Sequence, residues 1–163
     1  MAVTLKKTSK QLVDEAMARV RTLDVAKAHA LHAAGGALFV DLRDVRELER
    51  EGVIPGALNA PRGLLEFWVD PASPYFHQAF APVVHEGRPM VLFCALGWRS
   101  ALATQALQDM GFEDVSHIEG GYTAWKQGGA PVAQKAQKAQ TAEKPHKPGN
   151  AEQAEQTAPQ APA

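Results

Sequence analysis

A single cysteine stands among the 163 residues of this chain. One thiol cannot close an internal disulfide, supply a CxxC redox pair or build a multi-cysteine zinc site. Charge of one sign is equally missing. Lys and Arg number 17 against 18 Asp and Glu, a net charge of -1, so no long-range field gathers nucleic acid or an anionic membrane. Long hydrophobic runs are absent too: nothing approaches the ~18–20 apolar residues of a membrane helix. The stretch from Met1 to Lys10 lacks the apolar segment of a secretory signal. His29 and His32 sit three apart on one expected helix, but no third ligand accompanies them, so no metal site is expected. The expectation is a soluble, reduced, cytoplasmic protein without a nucleic-acid or membrane partner.

What is present is enough apolar content, 45%, for one ordinary core. The composition changes near Ala133. From Gln134 to Ala163 there are eight Ala, six Gln, four Pro and no Val, Ile, Leu, Met or aromatic residue. Ordering those residues costs roughly 1–2 kcal/mol each, which methyl groups and polar stems do not offset, so a disordered tail is expected.

Upstream, the pattern alternates between helical and strand periods. Ser9 is placed to cap a helix to about Val20, with Leu12, Val13, Ala16, Met17 and Val20 inward. Arg21–Leu23 reads as a short strand, and Asp24 caps a helix that Gly35-Gly36 ends. Residues 37–42 form a short apolar run, residues 45–50 a charged helix, and residues 57–59 a short strand after the Pro55-Gly56 turn. A Pro-rich stretch, 61–89, holds one or two short helices, including one over 62–68. Met90–Phe93 is the clearest buried strand, followed by a helix over 100–110, a strand over 115–118 and a helix over 122–126. Alternating strands and helices argue an α/β domain with a mainly parallel sheet between helical layers.

In such sheets, sites gather beyond the carboxyl ends of strands, where Cys94 follows Phe93. The loop Ala95-Leu96-Gly97-Trp98-Arg99 then leads into the helix at Ser100. Backbone N–H groups of such a loop converge on the sulfur, and the helix N-terminus adds unpaired N–H groups and partial positive charge. Gly97 admits a dihedral closed to other residues. Arg99 can brace the loop or face a bound anion. This combination suits a nucleophilic thiolate, and a buried inert thiol at a strand end fits the same loop equally well. His77, His85 and His117 are candidate bases, but sequence places none of them beside Cys94. A phosphatase ring of the Cys-x5-Arg type needs five intervening residues, and four lie between Cys94 and Arg99. The smaller ring suits a smaller group, such as one extra sulfur atom.

The pattern Cys94-x-x-Gly97-x-Arg99-Ser100-Ala101 resembles the active-site loop of rhodanese-like sulfurtransferases. Three further segments match in the same order: Val40-Asp41-Leu42-Arg43, Glu49-x-Glu51-Gly52-Val53-Ile54-Pro55-Gly56-Ala57-x-Asn59-x-Pro61, and Glu119-Gly120-Gly121-Tyr122-Thr123-Ala124-Trp125. The resemblance spans about Leu23 to Gly129. It implies a three-layer domain with a mainly parallel five-stranded sheet flanked by helices, residues 22–131. Residues 1–21 are then an N-terminal helical extension and 132–163 a tail rich in Ala, Gln, Pro and Lys.

The resemblance also implies an activity: transfer of a sulfane sulfur from thiosulfate, a persulfide or a polysulfide to cyanide or a thiol. Cys94 would be the catalytic persulfide carrier, and Ala95, Leu96, Gly97, Trp98, Arg99 and Ser100 its substrate-binding cradle, with no metal or organic cofactor. Arg62, just after Pro61, joins the substrate-binding set by its position as a candidate rim cation, with an ordinary surface charge as the alternative. Two departures stand out. Val53 occupies a position where the family often has His, and Ala95 and Leu96 are neutral where thiosulfate-using members often carry Arg or Lys. Leu96 and Trp98 make the loop apolar, consistent with a protein or larger thiol acceptor. A non-catalytic binding or regulatory module on the same fold is the alternative. Among the remaining residues, Asp41 and Arg43 read as a structural ion pair, Trp68, Tyr75 and Phe76 as loop anchors, and Trp125 as core.

Overall fold

The computed structural model describes residues 1–136. The expected disordered tail therefore falls almost wholly outside the described residues. The sheet has five parallel strands: β1 (Arg21–Leu23), β2 (Leu38–Asp41), β3 (Leu58–Asn59), β4 (Met90–Phe93) and β5 (Val115–Ile118), in the order β1-β5-β4-β2-β3. All residues of β4 and β5 are buried, as strands covered on both faces must be.

Their alternation sorts side chains into two cores. Met90, Leu92 and Cys94 join Val40, Leu42, Leu65, Phe80 and Leu107 on one face. Phe39, Val91, Phe93 and Ile118 join Ala28, Tyr122 and Trp125 on the other. The first face is covered by α4 (Leu65–Val69), α5 (Ala81–Glu86) and α6 (Trp98–Met110); the second by α2 (Val25–Ala33) and α7 (Gly121–Gln127). The three-layer α/β architecture expected from the residues is thus present. A short helix α3 (Val45–Glu51) follows β2, and α1 (Ser9–Arg19) packs against α6.

Several boundaries differ from expectation for local reasons. Thr8, not Ser9, caps α1, because Gln11 stands three residues on and closes a reciprocal capping box. Of the inward set on α1, only Ala16 is fully buried, and Leu12 and Met17 stay exposed. Helix α1 lies outside α6 and presents only a narrow stripe to it. The expected helix over 62–68 is a 3₁₀ turn, Arg62–Leu64, running into α4. Helix α6 begins at Trp98, two residues earlier than expected, with Gly97 at its cap in the left-handed region. After α7 the chain returns to the domain: Trp125 Nε1 donates to Pro131 O at 2.7 Å, and Ala133 bridges Val53. Contacts with the domain therefore run two residues past 131.

Of the expected loop anchors, Trp68 stacks on His77 at 4.7 Å and Phe76 packs against the core, but Tyr75 is 70% exposed and anchors nothing. Among the described residues no helix is long and apolar enough to cross a membrane.

Candidate active site

Strand β4 delivers Cys94 to its carboxyl end, where the thiol is almost fully buried. The sulfur is met by the Gly97 N–H at 3.2 Å. Because α6 starts at Trp98, the N–H groups of Trp98, Arg99 and Ser100 occupy its first turn, where helix geometry provides no intrahelical acceptor. The loop thus gathers donors beside a sulfur, an arrangement that favours negative charge there.

A second glycine builds this loop. Tyr122 N–H donates to Cys94 O at 2.8 Å and Thr123 N–H to Ala95 O at 3.1 Å, so the start of α7 clamps the loop from below. This close approach requires Gly121, which has a φ of +61°. A Cβ there would lie 2.7 Å from both Ala95 C and Ala95 O and press into Cys94 O. Gly97, at a φ of +95°, turns the loop into the helix.

Two of the cations near the loop, Arg99 and Arg62, are already engaged. Arg99 forks onto Glu47 of α3 with Nη1 to Oε2 at 2.9 Å and Nη2 to Oε1 at 3.0 Å. The pairing lowers the Glu47 pKa to about 2, with the Arg99 hydrogen bonds the leading cause. Reciprocally, Glu47 raises the Arg99 pKa, with the neighbouring Cys94 adding to that shift. Arg62, expected as a rim cation from its place after Pro61, is held instead by Glu66 at 2.7 Å in its own helical segment. The loop itself exposes Leu96 (50%) and Trp98 (63%), leaves Ala95 half-buried and buries Gly97 and Ser100. A cleft of about 400 Å³ opens beside Ala95 and Leu96, walled by Arg43, Glu47, Arg50, Tyr122 and Lys126.

Behind the loop, Asp41 and Arg43 form the expected buried pair: Arg43 Nε lies 2.9 Å from Oδ1 and Nη2 2.7 Å from Oδ2. Arg43 Nη2 also donates to Gly52 O at 2.9 Å, and the guanidinium lies 4.0 Å over the Tyr122 ring. This pair ties β2, the α3 exit and α7 together around the loop. His29 and His32 pack edge-on against Trp125, and His32 Nε2 lies 2.8 Å from Pro55 O, a core role.

The residue that sequence reasoning could not place is His117. It is fully buried on β5, with Nδ1 2.9 Å from Ser100 Oγ. The Cys94 thiol in turn donates to that hydroxyl at 3.7 Å. Nothing local signals this, since 17 residues separate Ser100 from His117. Burial alone lowers the His117 pKa to about 4, so the imidazole is neutral near pH 7. Glu47 was also missed; its contact with Arg99 spans 52 residues.

Similarity agrees with the geometry. The family model of the rhodanese-like domain matches residues 24–128. A human thiosulfate:glutathione sulfurtransferase is 34% identical over 112 residues, covering 67% of this chain and 96% of the relative. An Arabidopsis thaliana rhodanese-like domain-containing protein is 31% identical over 115 residues, 70% of this chain and 73% of the relative. A solved structure from Rhodopseudomonas palustris, described as a protein of unknown function and possible tyrosine phosphatase, is 46% identical with a TM-score of 0.75. That alignment covers 82% of this chain and 99% of the other. The match over residues 24–128, with Cys94 at the mouth of a five-stranded parallel sheet, makes this chain a member of the rhodanese-like domain family.

Proposed function

We propose that this protein is a sulfurtransferase that carries a sulfane sulfur as a persulfide on Cys94. The observation that carries the reading is the Gly97 N–H 3.2 Å from the Cys94 sulfur, at the start of a helix whose first-turn N–H groups stand free. The activity named for the human relative supports the same class of reaction. In the first half-reaction the Cys94 thiolate attacks the outer sulfur of the donor. The donor's sulfur–sulfur bond breaks, and sulfite leaves from thiosulfate, or a thiolate from a persulfide. The negative charge then rests on the outer persulfide sulfur, within reach of the loop donors. In the second half-reaction, cyanide or a thiolate attacks that outer sulfur and the Cys94 thiolate is regenerated. This is covalent ping-pong catalysis that asks for no metal and no organic cofactor.

Ala95 to Ser100 line the persulfide, and the cleft beside Ala95 and Leu96 receives donor and acceptor. Arg99 serves chiefly as a brace, since its fork is filled by Glu47. Arg62, tied to Glu66, contributes at most to the rim. Arg99 and Arg62 are compensated while Lys126 on the cleft wall has no ion pair among the described residues, so a persulfide or polysulfide donor suits the site as well as a dianion does. Exposed Leu96 and Trp98 suit a thiol acceptor that brings apolar surface, including one carried on a protein. Phosphatase chemistry, raised by the description of the Rhodopseudomonas relative, is disfavoured because only four residues separate Cys94 from Arg99.

The test is the intact mass of reduced protein after incubation with thiosulfate, and separately with glutathione persulfide, using Cys94→Ser as control. The expected result is a gain of one sulfur atom on the native protein alone, removed by cyanide. No gain from either donor would overturn the reading in favour of a binding module, and turnover of a phosphate ester would replace it with phosphatase chemistry.

A further inference from the structure

Four side chains form one hydrogen-bonded line across the sheet: Cys94 Sγ to Ser100 Oγ at 3.7 Å, Ser100 Oγ to His117 Nδ1 at 2.9 Å, and His117 Nε2 to Thr22 Oγ1 at 3.0 Å. Cys94, Ser100 and His117 are buried, whereas Thr22 on β1 is half-exposed, so the line runs from the sulfur towards solvent. Building on Cys94 as the sulfur carrier, we propose that His117 is a positioning residue that acts through Ser100, and through its own bond to Thr22, to favour the thiolate of Cys94.

The line has two complete hydrogen-bonding states. With Cys94 as thiol, S–H donates to Ser100 Oγ, the Ser100 hydroxyl donates to Nδ1, and Nε2–H donates to Thr22 Oγ1. With Cys94 as thiolate, every donor is reversed: the Thr22 hydroxyl donates to Nε2, Nδ1–H donates to Ser100 Oγ, and the Ser100 hydroxyl donates to the sulfur. Four proton shifts connect the states. The thiol proton goes to Ser100 Oγ, the Ser100 proton to Nδ1, the Nε2 proton to Thr22 Oγ1, and the Thr22 proton to water. One proton leaves the sulfur and one is released at the far end. Each hydroxyl keeps one proton, and the imidazole exchanges one neutral tautomer for the other.

The surroundings suit this traffic. In-register neighbours of His117 are Thr22 on β1 and Leu92 on β4, with Ser100 above from α6, and none of these is charged. The nearby Arg21 is tied to Asp114 at the surface. Burial that penalises an imidazolium leaves a choice between neutral tautomers open. The charges around the sulfur are Arg99 with Glu47 behind it and the Asp41–Arg43 pair on β2, where Asp41 is in register with Phe93; from α7, Tyr122 binds Cys94 O through its backbone. Arg99 and Arg43 are each compensated by a carboxylate, and Arg50 and Lys126 lie on the wall of the adjoining cleft, so the Ser100 hydroxyl is the neutral group against the sulfur whose orientation follows its charge. Thr22 itself lies outside the family-matched residues 24–128.

The experiment compares Ser100→Ala, His117→Asn and the double variant by the rate of Cys94 alkylation with iodoacetamide as a function of pH, on reduced protein of native circular dichroism. Ser100→Ala is expected to slow alkylation about tenfold near neutral pH, as loss of a hydrogen bond to a charged sulfur requires. His117→Asn, which keeps polar groups near Ser100 but cannot exchange tautomers, is expected to slow it about threefold. Added to Ser100→Ala, it is expected to change nothing further, because His117 reaches the sulfur only through Ser100. If His117→Asn does not fold, Thr22→Val takes its place with the same expected dependence on Ser100. Native rates in the His117 variant, or an equal slowing with Ser100 already removed, would overturn the proposal. Alkylation needs no sulfur donor, so a native protein that gains no sulfur overturns the proposed function while the comparison of rates still judges the coupling of His117 to the Cys94 thiolate.

Discussion

Replacing Gly121 by alanine separates the chemistry of the loop from its architecture. Two costs add at this position. The first is conformational: a φ of +61° places an L side chain in the left-handed region, worth roughly 1–2 kcal/mol. The second is contact. The new methyl would sit 2.7 Å from Ala95 C and O and still closer to Cys94 O, all backbone atoms that move only if the loop moves. Shifting the loop endangers the Tyr122 N–H to Cys94 O and Thr123 N–H to Ala95 O bonds, worth about 1 kcal/mol each. The expected loss is about 3–4 kcal/mol, with the Gly97 N–H drawn away from the sulfur. Gly87→Ala is the matched control, since Gly87 has a φ of +71° but its Cβ would meet nothing within 4 Å. Urea unfolding of the two variants isolates the contact cost as their difference, expected to be about 2 kcal/mol. Alkylation of Cys94 reads the effect on the loop, which should be absent in the control. Equal urea midpoints for the two variants, with native Cys94 reactivity in both, would refute the close-approach reasoning.

Three other outcomes are expected. Because the folded His117 titrates near 4 against 6.5 unfolded, the unfolded chain binds more protons between these values. Stability present above pH 6.5 should fall as pH drops towards 4, by about 3 kcal/mol, and urea midpoints of His117→Asn should lack that slope. Glu47 behaves alike at lower pH: its pKa of about 2 against 4.5 means stability lost as pH falls from 4.5 to 2. With Arg99 41% exposed, solvent screening limits this to about 1 kcal/mol, and acid titration of Glu47→Gln should be flatter in that window. Arg43→Lys keeps the charge but loses the fork to Asp41 and the plane over Tyr122. Its urea midpoint should drop by an amount equivalent to about 3 kcal/mol, and an unchanged midpoint would remove the pair from any role in holding the loop.

What could be read from the sequence followed local causes. Met90–Phe93 is an unbroken apolar run before a cysteine and a glycine, which is enough to place a buried strand and a loop at its end. Asp24 caps α2 through the Lys27 N–H, a contact three residues long. The Thr8-x-x-Gln11 box was also present in the sequence, but the neighbouring Ser9 competes for the same role. The start of α6 was less legible, because its cap is Gly97 in a left-handed conformation rather than an oxygen-bearing side chain. Contacts set only by packing were invisible. Ser116 and His117 place polar side chains within a fully buried strand, and the His117 partners are Ser100 and Thr22, 17 and 95 residues away. Arg99 looked free to meet an anion until α3 brought Glu47 against it.

Helix α1 changes what counts as the working unit. It precedes the family-matched segment, yet it lies along α6, the helix whose first turn faces Cys94. Two ion pairs fasten this region: Arg19 to Asp109 at the far end of α6, and Arg21 to Asp114 ahead of β5. A chain trimmed to the segment that similarity recognises would keep Cys94 and its loop. It would shed the splint along the outside of α6 and, with β1, the edge of the sheet that carries Thr22. Similarity draws its border at residue 24, whereas the packing against α6 begins some fifteen residues earlier, with α1.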